Sequence, residues 1–123
     1  MSAEIDSLDC LNVEILNSYI ELEPGVKDFS FINELFNLFA SATPEFIEKL
    51  SAAHQENDVK ALMYFAHKLK GSAANLGLNR MVKACLIIEL DAKSGKVTDS
   101  AQVQEVPKYF KQSVAALKLF LQK

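Results

Sequence analysis

The chain has 123 residues, half of them hydrophobic, which is enough for one domain that buries about two-thirds of its unfolded surface. A net charge of −3 and the lack of a basic stripe with interleaved aromatic residues argue against a nucleic-acid-binding surface. No apolar run approaches the ~20 residues that span a membrane, and the acidic start of the chain lacks a secretory pattern, so we expect a cytoplasmic protein without membrane contact.

Apolar periodicity predicts an all-α chain, beginning with one short helix. Residues 1–10 are expected to form a flexible N-terminal segment of the single domain 1–123. The short helix covers Leu11 to Leu22 and ends near Pro24-Gly25. Asp28 is a candidate cap for the second helix, whose apolar face is rich in phenylalanine. This face contains Phe31, Ile32, Leu35, Phe36 and Phe39.

The segment Thr43-Pro44-Glu45 allows two interpretations. Proline is favoured at the first position of a helix, so a new helix could start here. Proline can also bend a continuous helix, which would then run on to about Gln55. The local chemistry favours a break and leaves both alternatives open.

Three further helices follow, joined by short links. Asn57-Asp58 caps the third helix, which runs to about Leu76, and Gly77 supplies a left-handed C-cap. Asn79 is expected to cap a fourth helix over Arg80 to about Lys93. Its apolar positions are Met81, Ala84, Cys85, Ile88 and Leu90.

The last helix is predicted from about Ala101 to Leu121, after a polar loop over Ser94 to Ser100. Pro107 falls in its first two turns, so the helix could instead begin near Val106. Short links between long amphipathic helices predict an antiparallel four-helix bundle, with the additional short helix over one end.

The third helix places a histidine away from its apolar stripe of Leu62, Ala66, Leu69, Ala73 and Leu76. His67 points about 130° from the centre of this stripe, at ~100° per residue. Gly71 and Ala74 follow almost in line with His67, and Lys70 lies between the two faces. Glycine inside a helix costs roughly 1 kcal/mol relative to alanine, and the simplest compensation is a partner that approaches the histidine closely.

The segment from Ala66 to Gly77 resembles the signature of histidine-containing phosphotransfer (HPt) domains. The matching residues are His67, Leu69, Lys70, Gly71, Ser72 and Gly77. The flanks also resemble the family: Leu35-Phe36 and Thr43-Pro44-Glu45 upstream, and Cys85 with Ile88-Glu89 downstream. The resemblance covers about 95 residues, from Phe29 to Leu121, and favours one long bent helix through Pro44.

The resemblance implies a phosphorelay intermediate that carries a phosphoryl group on His67. It implies attachment at Nε2, charge stabilisation by Lys70 and close approach of a receiver domain at Gly71. Lys60, Met63, Tyr64 and Ala74 are further candidates for partner contact. The partners would be response-regulator receivers and a sensor (hybrid) histidine kinase. The chain needs no cofactor or metal of its own, Mg²⁺ being expected on the receiver, and one site on one bundle suggests a monomer.

The same residues also bear on other possible functions. No Gly-rich phosphate loop is present, so neither ATP binding nor autokinase activity is expected, and the chain would not be an enzyme by itself. A helical interaction module without phosphoryl chemistry is one alternative, but the chain keeps His67. An acid–base enzyme is another, but no carboxylate lies within a helical turn of His67 on its own helix. Cys10 and Cys85 are interpreted as buried free thiols, and His54 as a solvated surface residue.

Overall fold

A computed structural model of the chain describes residues 10–122, and the secondary structure within this range is almost entirely helical. The described residues include α1 (Val13–Ile20), a hairpin of β1 (Glu21–Glu23) and β2 (Val26–Lys27), α2 (Ser30–Gln55), α3 (Val59–Asn75), α4 (Asn79–Lys93) and α5 (Ser100–Leu121). The all-α prediction is confirmed. No helix among the described residues is long and apolar enough to cross a membrane.

The four long helices form a bundle in which each packs against two neighbours. Helix α3 lies between α2 and α4, and α5 closes the bundle by packing on α4 and α2, diagonally across from α3. Helix α1 packs on α2. Leucine and isoleucine dominate the core, and each such side chain contributes about 1.5–3 kcal/mol when fully buried. The largest buried side chains are Leu16, Ile20, Ile32, Leu50, Leu62, Leu69, Leu76, Leu78, Met81, Ile88, Val106 and Leu117.

Two prolines lie inside helices without ending them. Pro44 is inside α2, which confirms the continuous helix and excludes the break. Pro107 is inside α5, so the alternative start near Val106 is wrong. Proline has no N–H for the carbonyl four residues earlier, but it removes only that one hydrogen bond while the apolar face of each helix stays packed. The core contacts Phe39, Leu50 and Val106 lie on those faces.

The first predicted helix is shorter than the sequence suggested. Helix α1 ends at Ile20, and the chain returns through a hairpin around Pro24-Gly25, with Gly25 at φ +83°. Pro24 fixes one turn angle and glycine adopts the left-handed one, which favours reversal of the chain over helix continuation. Of the predicted flexible segment, residues 1–9 lie outside the described range, whereas Cys10 is buried with its Sγ 3.5 Å from the Ser113 Oγ.

Both ends of α2 hold the neighbouring chain through hydrogen bonds. Phe29 occupies the cap position without a side-chain hydrogen bond, so the predicted cap at Asp28 is wrong by one residue, although the Asp28 Oδ1 accepts a hydrogen bond from the Ser30 backbone N–H at 2.9 Å. At the other end, the His54 Nε2 lies 2.9 Å from the Thr98 carbonyl oxygen, and the ring is half-buried. The interpretation of His54 as a solvated residue is therefore wrong, since the histidine joins α2 to the loop before α5.

The turn between α3 and α4 is fixed by the segment that precedes α1. Gly77 has φ +65°, as its predicted C-cap role requires, and its carbonyl accepts a 2.7 Å hydrogen bond from the Asn12 N–H. Asn79 is the first residue of α4 and caps nothing, because the buried Leu78 occupies the cap position with no side-chain hydrogen bond. The predicted cap at Asn79 is wrong.

We predict that alanine at Gly77 destabilises the fold more than alanine at Gly95. Both glycines have φ above +60°, but a Cβ at Gly77 would lie 2.8 Å from the Asn12 Cβ, whereas one at Gly95 meets nothing within 4 Å. Gly95→Ala should cost about 1 kcal/mol from backbone strain, and Gly77→Ala at least about 2 kcal/mol. Urea unfolding followed by circular dichroism measures both, and equal losses would contradict the steric argument.

Candidate functional site

Helix α3 presents the histidine on its outer face because its other face is locked into the core. Asp58 caps the helix by accepting a hydrogen bond from the Ala61 N–H at 3.1 Å. The predicted apolar stripe is buried, with Leu62, Ala66, Leu69 and Ala73 each at most 1 % exposed. The side chain of His67 is 66 % exposed. The imidazole is therefore carried by a well-packed helix and is accessible from solvent.

A buried carboxylate holds one nitrogen of this imidazole. The His67 Nδ1 lies 2.5 Å from the Glu89 Oε2, and the Lys70 Nζ lies 2.5 Å from the other oxygen, Oε1. Glu89 reaches α3 from α4 and is only 3 % exposed. In a neutral imidazole, a proton on Nδ1 donates to the carboxylate, and the lone pair is then on Nε2. This arrangement sets both the tautomer and the orientation of the ring.

The same contacts keep Glu89 ionised. The hydrogen bond from Lys70 lowers the pKa of the Glu89 carboxyl below its ordinary value of 4.5, and His67 lowers it further, against the opposing effect of burial. One helical turn earlier on α4, burial and then the charge of Glu89 raise the pKa of the Cys85 thiol to about 12. Cys85 therefore stays a neutral thiol at physiological pH. Cys10 and Cys85 are both free and buried, as the sequence predicted.

Glu89 is the site residue whose contact with His67 the sequence did not predict. The helix that carries His67 contains no carboxylate, and Glu89 comes from the next helix. Leu90, which was predicted to be apolar core, is 53 % exposed, and Glu89 is buried in its place. A signal was present, because Cys85, Glu89 and Ala92 follow helical spacing and an acid in such a buried stripe requires cationic partners.

The other predicted site residues surround His67 on α3. Lys70 is mostly covered, with 26 % of its side chain exposed, and its ammonium is engaged by Glu89. Gly71 is exposed, and a Cβ built there would meet nothing within 4 Å, so the packing of this chain does not require glycine at that position. Lys60, Tyr64 and Ala74 are exposed, whereas Met63 is half-buried against the core. Within residues 10–122, no group of three or more His, Cys, Asp or Glu side chains could hold a metal ion.

These features define the class of the protein as a small all-α bundle that exposes His67 on one helix and holds it by a carboxylate from the next helix. The Hpt domain family model matches residues 34–121, and the chain belongs to this family of phosphotransfer domains in two-component phosphorelays. No curated protein matches the sequence in a search of such proteins.

The fold is shared with several solved structures, among them the following two. Histidine-containing phosphotransfer protein B (HptB) from Pseudomonas aeruginosa PAO1 has a TM-score of 0.76 at 20 % identity, over 94 % of this chain and 98 % of that one. The HPT domain of a sensor hybrid histidine kinase from Shewanella has a TM-score of 0.70 at 20 % identity, over 92 % and 94 % of the two chains. The similarity extends over nearly the whole of each chain.

The lowered pKa of Glu89 predicts that its contribution to stability depends on pH. A carboxyl whose pKa is lower in the folded than in the unfolded state stabilises the fold above the unfolded value, here about 4.5, and this contribution disappears as the pH falls through the folded value. We expect wild type to be more stable than Glu89→Gln at pH 7. The difference should shrink at acidic pH, below about 4.5.

Urea unfolding of both proteins across this pH range measures the difference directly. Glu45→Gln is the control, because Glu45 is an exposed carboxylate whose ion pair with Lys49 lies on the surface. A difference between wild type and Glu89→Gln that stays constant with pH would show that the charge of Glu89 does not stabilise the fold.

Proposed function

We propose that this domain is a phosphorelay intermediate, in which His67 accepts a phosphoryl group from the aspartyl phosphate of one receiver domain and passes it to the aspartate of another. The observation that carries the proposal is the exposed imidazole whose Nδ1 is held by the buried Glu89. The partners are response-regulator receivers and a sensor (hybrid) histidine kinase. The kinase origin of the similar Shewanella HPT domain supports the second of these.

The proposed step uses the lone pair on Nε2 of His67. This nitrogen attacks the phosphorus of the aspartyl phosphate, an N–P bond forms, and the acyl phosphate P–O bond breaks so that aspartate leaves as a carboxylate. The Nδ1 proton stays on the ring, which becomes positively charged as the bond forms. The ionised Glu89 stabilises that charge through its hydrogen bond to Nδ1. Transfer to the second receiver is the reverse sequence of events on a different aspartate.

Lys70 and Gly71 support this chemistry in different ways. The Lys70 ammonium keeps Glu89 ionised and stabilises the negative charge that the phosphoryl group brings to the site. Gly71 leaves the helix surface bare one turn after His67, so that a receiver can approach closely. Lys60, Met63, Tyr64 and Ala74 complete the proposed contact surface on the same helix.

The domain would need no cofactor of its own and would not be an enzyme outside the relay. The Mg²⁺ that transfer requires would be held by the receiver, whose acidic residues surround its aspartate. We place the domain in the cytoplasm as a monomer that neither binds ATP nor phosphorylates itself.

Replacement of His67 should abolish phosphoryl acceptance without unfolding the bundle. We expect His67→Gln to acquire no phosphate from phosphorylated receivers and to change stability by at most about 1 kcal/mol, because the side chain is exposed and Glu89 keeps Lys70. The wild-type product should be an acid-labile, base-stable phosphate that maps to His67. His54→Gln is the matched control and should accept phosphate normally. Transfer to His67→Gln at the wild-type rate would refute the assignment.

A large side chain at Gly71 should block docking while the fold is kept. Since Gly71 is exposed and a Cβ there would meet nothing within 4 Å, we expect Gly71→Leu to fold and to raise helix stability by up to about 1 kcal/mol. Phosphotransfer should nevertheless fall at least about tenfold, through weaker receiver binding. Ala115→Leu, on the exposed face of α5, is the control for added bulk. Undiminished transfer by Gly71→Leu would contradict the close approach.

A further inference from the structure

We infer that Lys60 and Lys68 form the electrostatic docking surface of this domain and attract an acidic receiver surface to His67. This inference rests on the proposed function and deepens it, because it assigns the attraction to two lysines other than Lys70. The inference is based on a difference among the lysines: some form ion pairs with acidic residues, and others do not.

Two lysines around the site are neutralised within the chain. Lys70 is bound to the buried Glu89, so this pair carries no net charge and its field decays over a short distance. On α2, Lys49 pairs with Glu45 at 3.4 Å and lies 6.0 Å from the centre of the Phe65 ring. Neither lysine can supply a long-range positive potential at the outer face of α3.

Lys60 and Lys68 remain as the uncompensated charges of this face. Both are exposed, and no acid among residues 10–122 forms an ion pair with either. Lys60 lies two turns before His67 and within about 20° of it around the helix. Lys68 is the next residue after His67, and its Nζ lies 5.6 Å from the centre of the Tyr64 ring, within the range of a cation–π contact.

The sign of this surface identifies the chemistry of the partner. The chain as a whole carries a net charge of −3, which would repel an acidic protein at long range. A receiver presents an aspartyl phosphate among further acidic residues, so it needs a locally positive target. Lys60 and Lys68 provide one on the outer face of α3, two turns before and one residue after His67, and such complementarity acts chiefly on the association rate.

The test compares two double charge reversals that change the net charge equally. Lys60→Glu/Lys68→Glu reverses the docking surface, and Lys111→Glu/Lys118→Glu reverses two exposed lysines on α5, diagonally across the bundle. A panel of receiver domains phosphorylated with acetyl phosphate supplies the donor. The second-order rate constant for transfer is measured from about 0.05 M to about 0.5 M salt, where the Debye length shrinks from roughly 14 to roughly 4 Å.

We expect the wild-type rate constant to fall as salt rises, and K60E/K68E to be at least about tenfold slower at low salt. The two proteins should converge at high salt and share one maximal rate at saturating receiver. K111E/K118E, which changes the net charge equally, should be slowed far less than K60E/K68E at low salt. The variant Lys70→Gln/Glu89→Gln, which removes a neutral pair, should lower the maximal rate and leave the salt dependence unchanged.

Two kinds of failure can be told apart. If wild type accepts phosphate on His67 but its rate is independent of salt, or if both double reversals slow transfer equally, the docking assignment is wrong and the proposed function stands. If no receiver of the panel phosphorylates His67, the proposed function fails and the docking assignment fails with it. Circular dichroism of each variant confirms that the bundle is folded.

Discussion

The site depends on one buried carboxylate that two cationic or polar partners share. Burying a carboxylate carries a free-energy penalty of several kcal/mol unless charge and hydrogen bonds compensate it, and Glu89 receives both from α3. The Lys70 ammonium compensates the charge, which leaves the second oxygen for the Nδ1 of His67. Any displacement of α4 relative to α3 would leave Glu89 buried without a partner. The orientation of the imidazole therefore depends on the packing of α3 against α4.

This arrangement fixes the orientation of the imidazole while the ring stays exposed to solvent. The ring is 66 % exposed, yet its position is set by a helix whose opposite face is fully buried and by a hydrogen bond from the neighbouring helix. A side chain supported by two rigid helices keeps its geometry better than one on a loop. A carrier domain needs this combination, because its reacting atom must reach the active site of another protein and arrive there in one orientation.

The parts of the molecule that could be predicted from sequence are those set by local pattern. The stripe from Leu62 to Leu76 fixes which way His67 faces, and Asp58 and Gly77 mark the two ends of α3. The missed features depend on contacts between distant segments. Glu89 is recognisable as a site residue only when α4 is placed beside α3. Similarly, Leu78 occupies the cap position expected for Asn79, and its backbone forms a β-bridge with Leu11, which lies just before α1.

The division of charges around His67 also bears on the reversibility of the proposed relay. A relay intermediate must release the phosphoryl group as readily as it accepts it, so strong electrostatic stabilisation of the phosphohistidine would slow the second step. Here the nearest ammonium is already engaged by Glu89, and the uncompensated charges of Lys60 and Lys68 are on the outer surface. In the proposed arrangement, Lys60 and Lys68 attract the partner, while the pairing of Lys70 with Glu89 moderates the stabilisation that Lys70 gives to the transferred group. Under the proposed function, this division would let the domain bind acidic receivers quickly and still pass the phosphoryl group on.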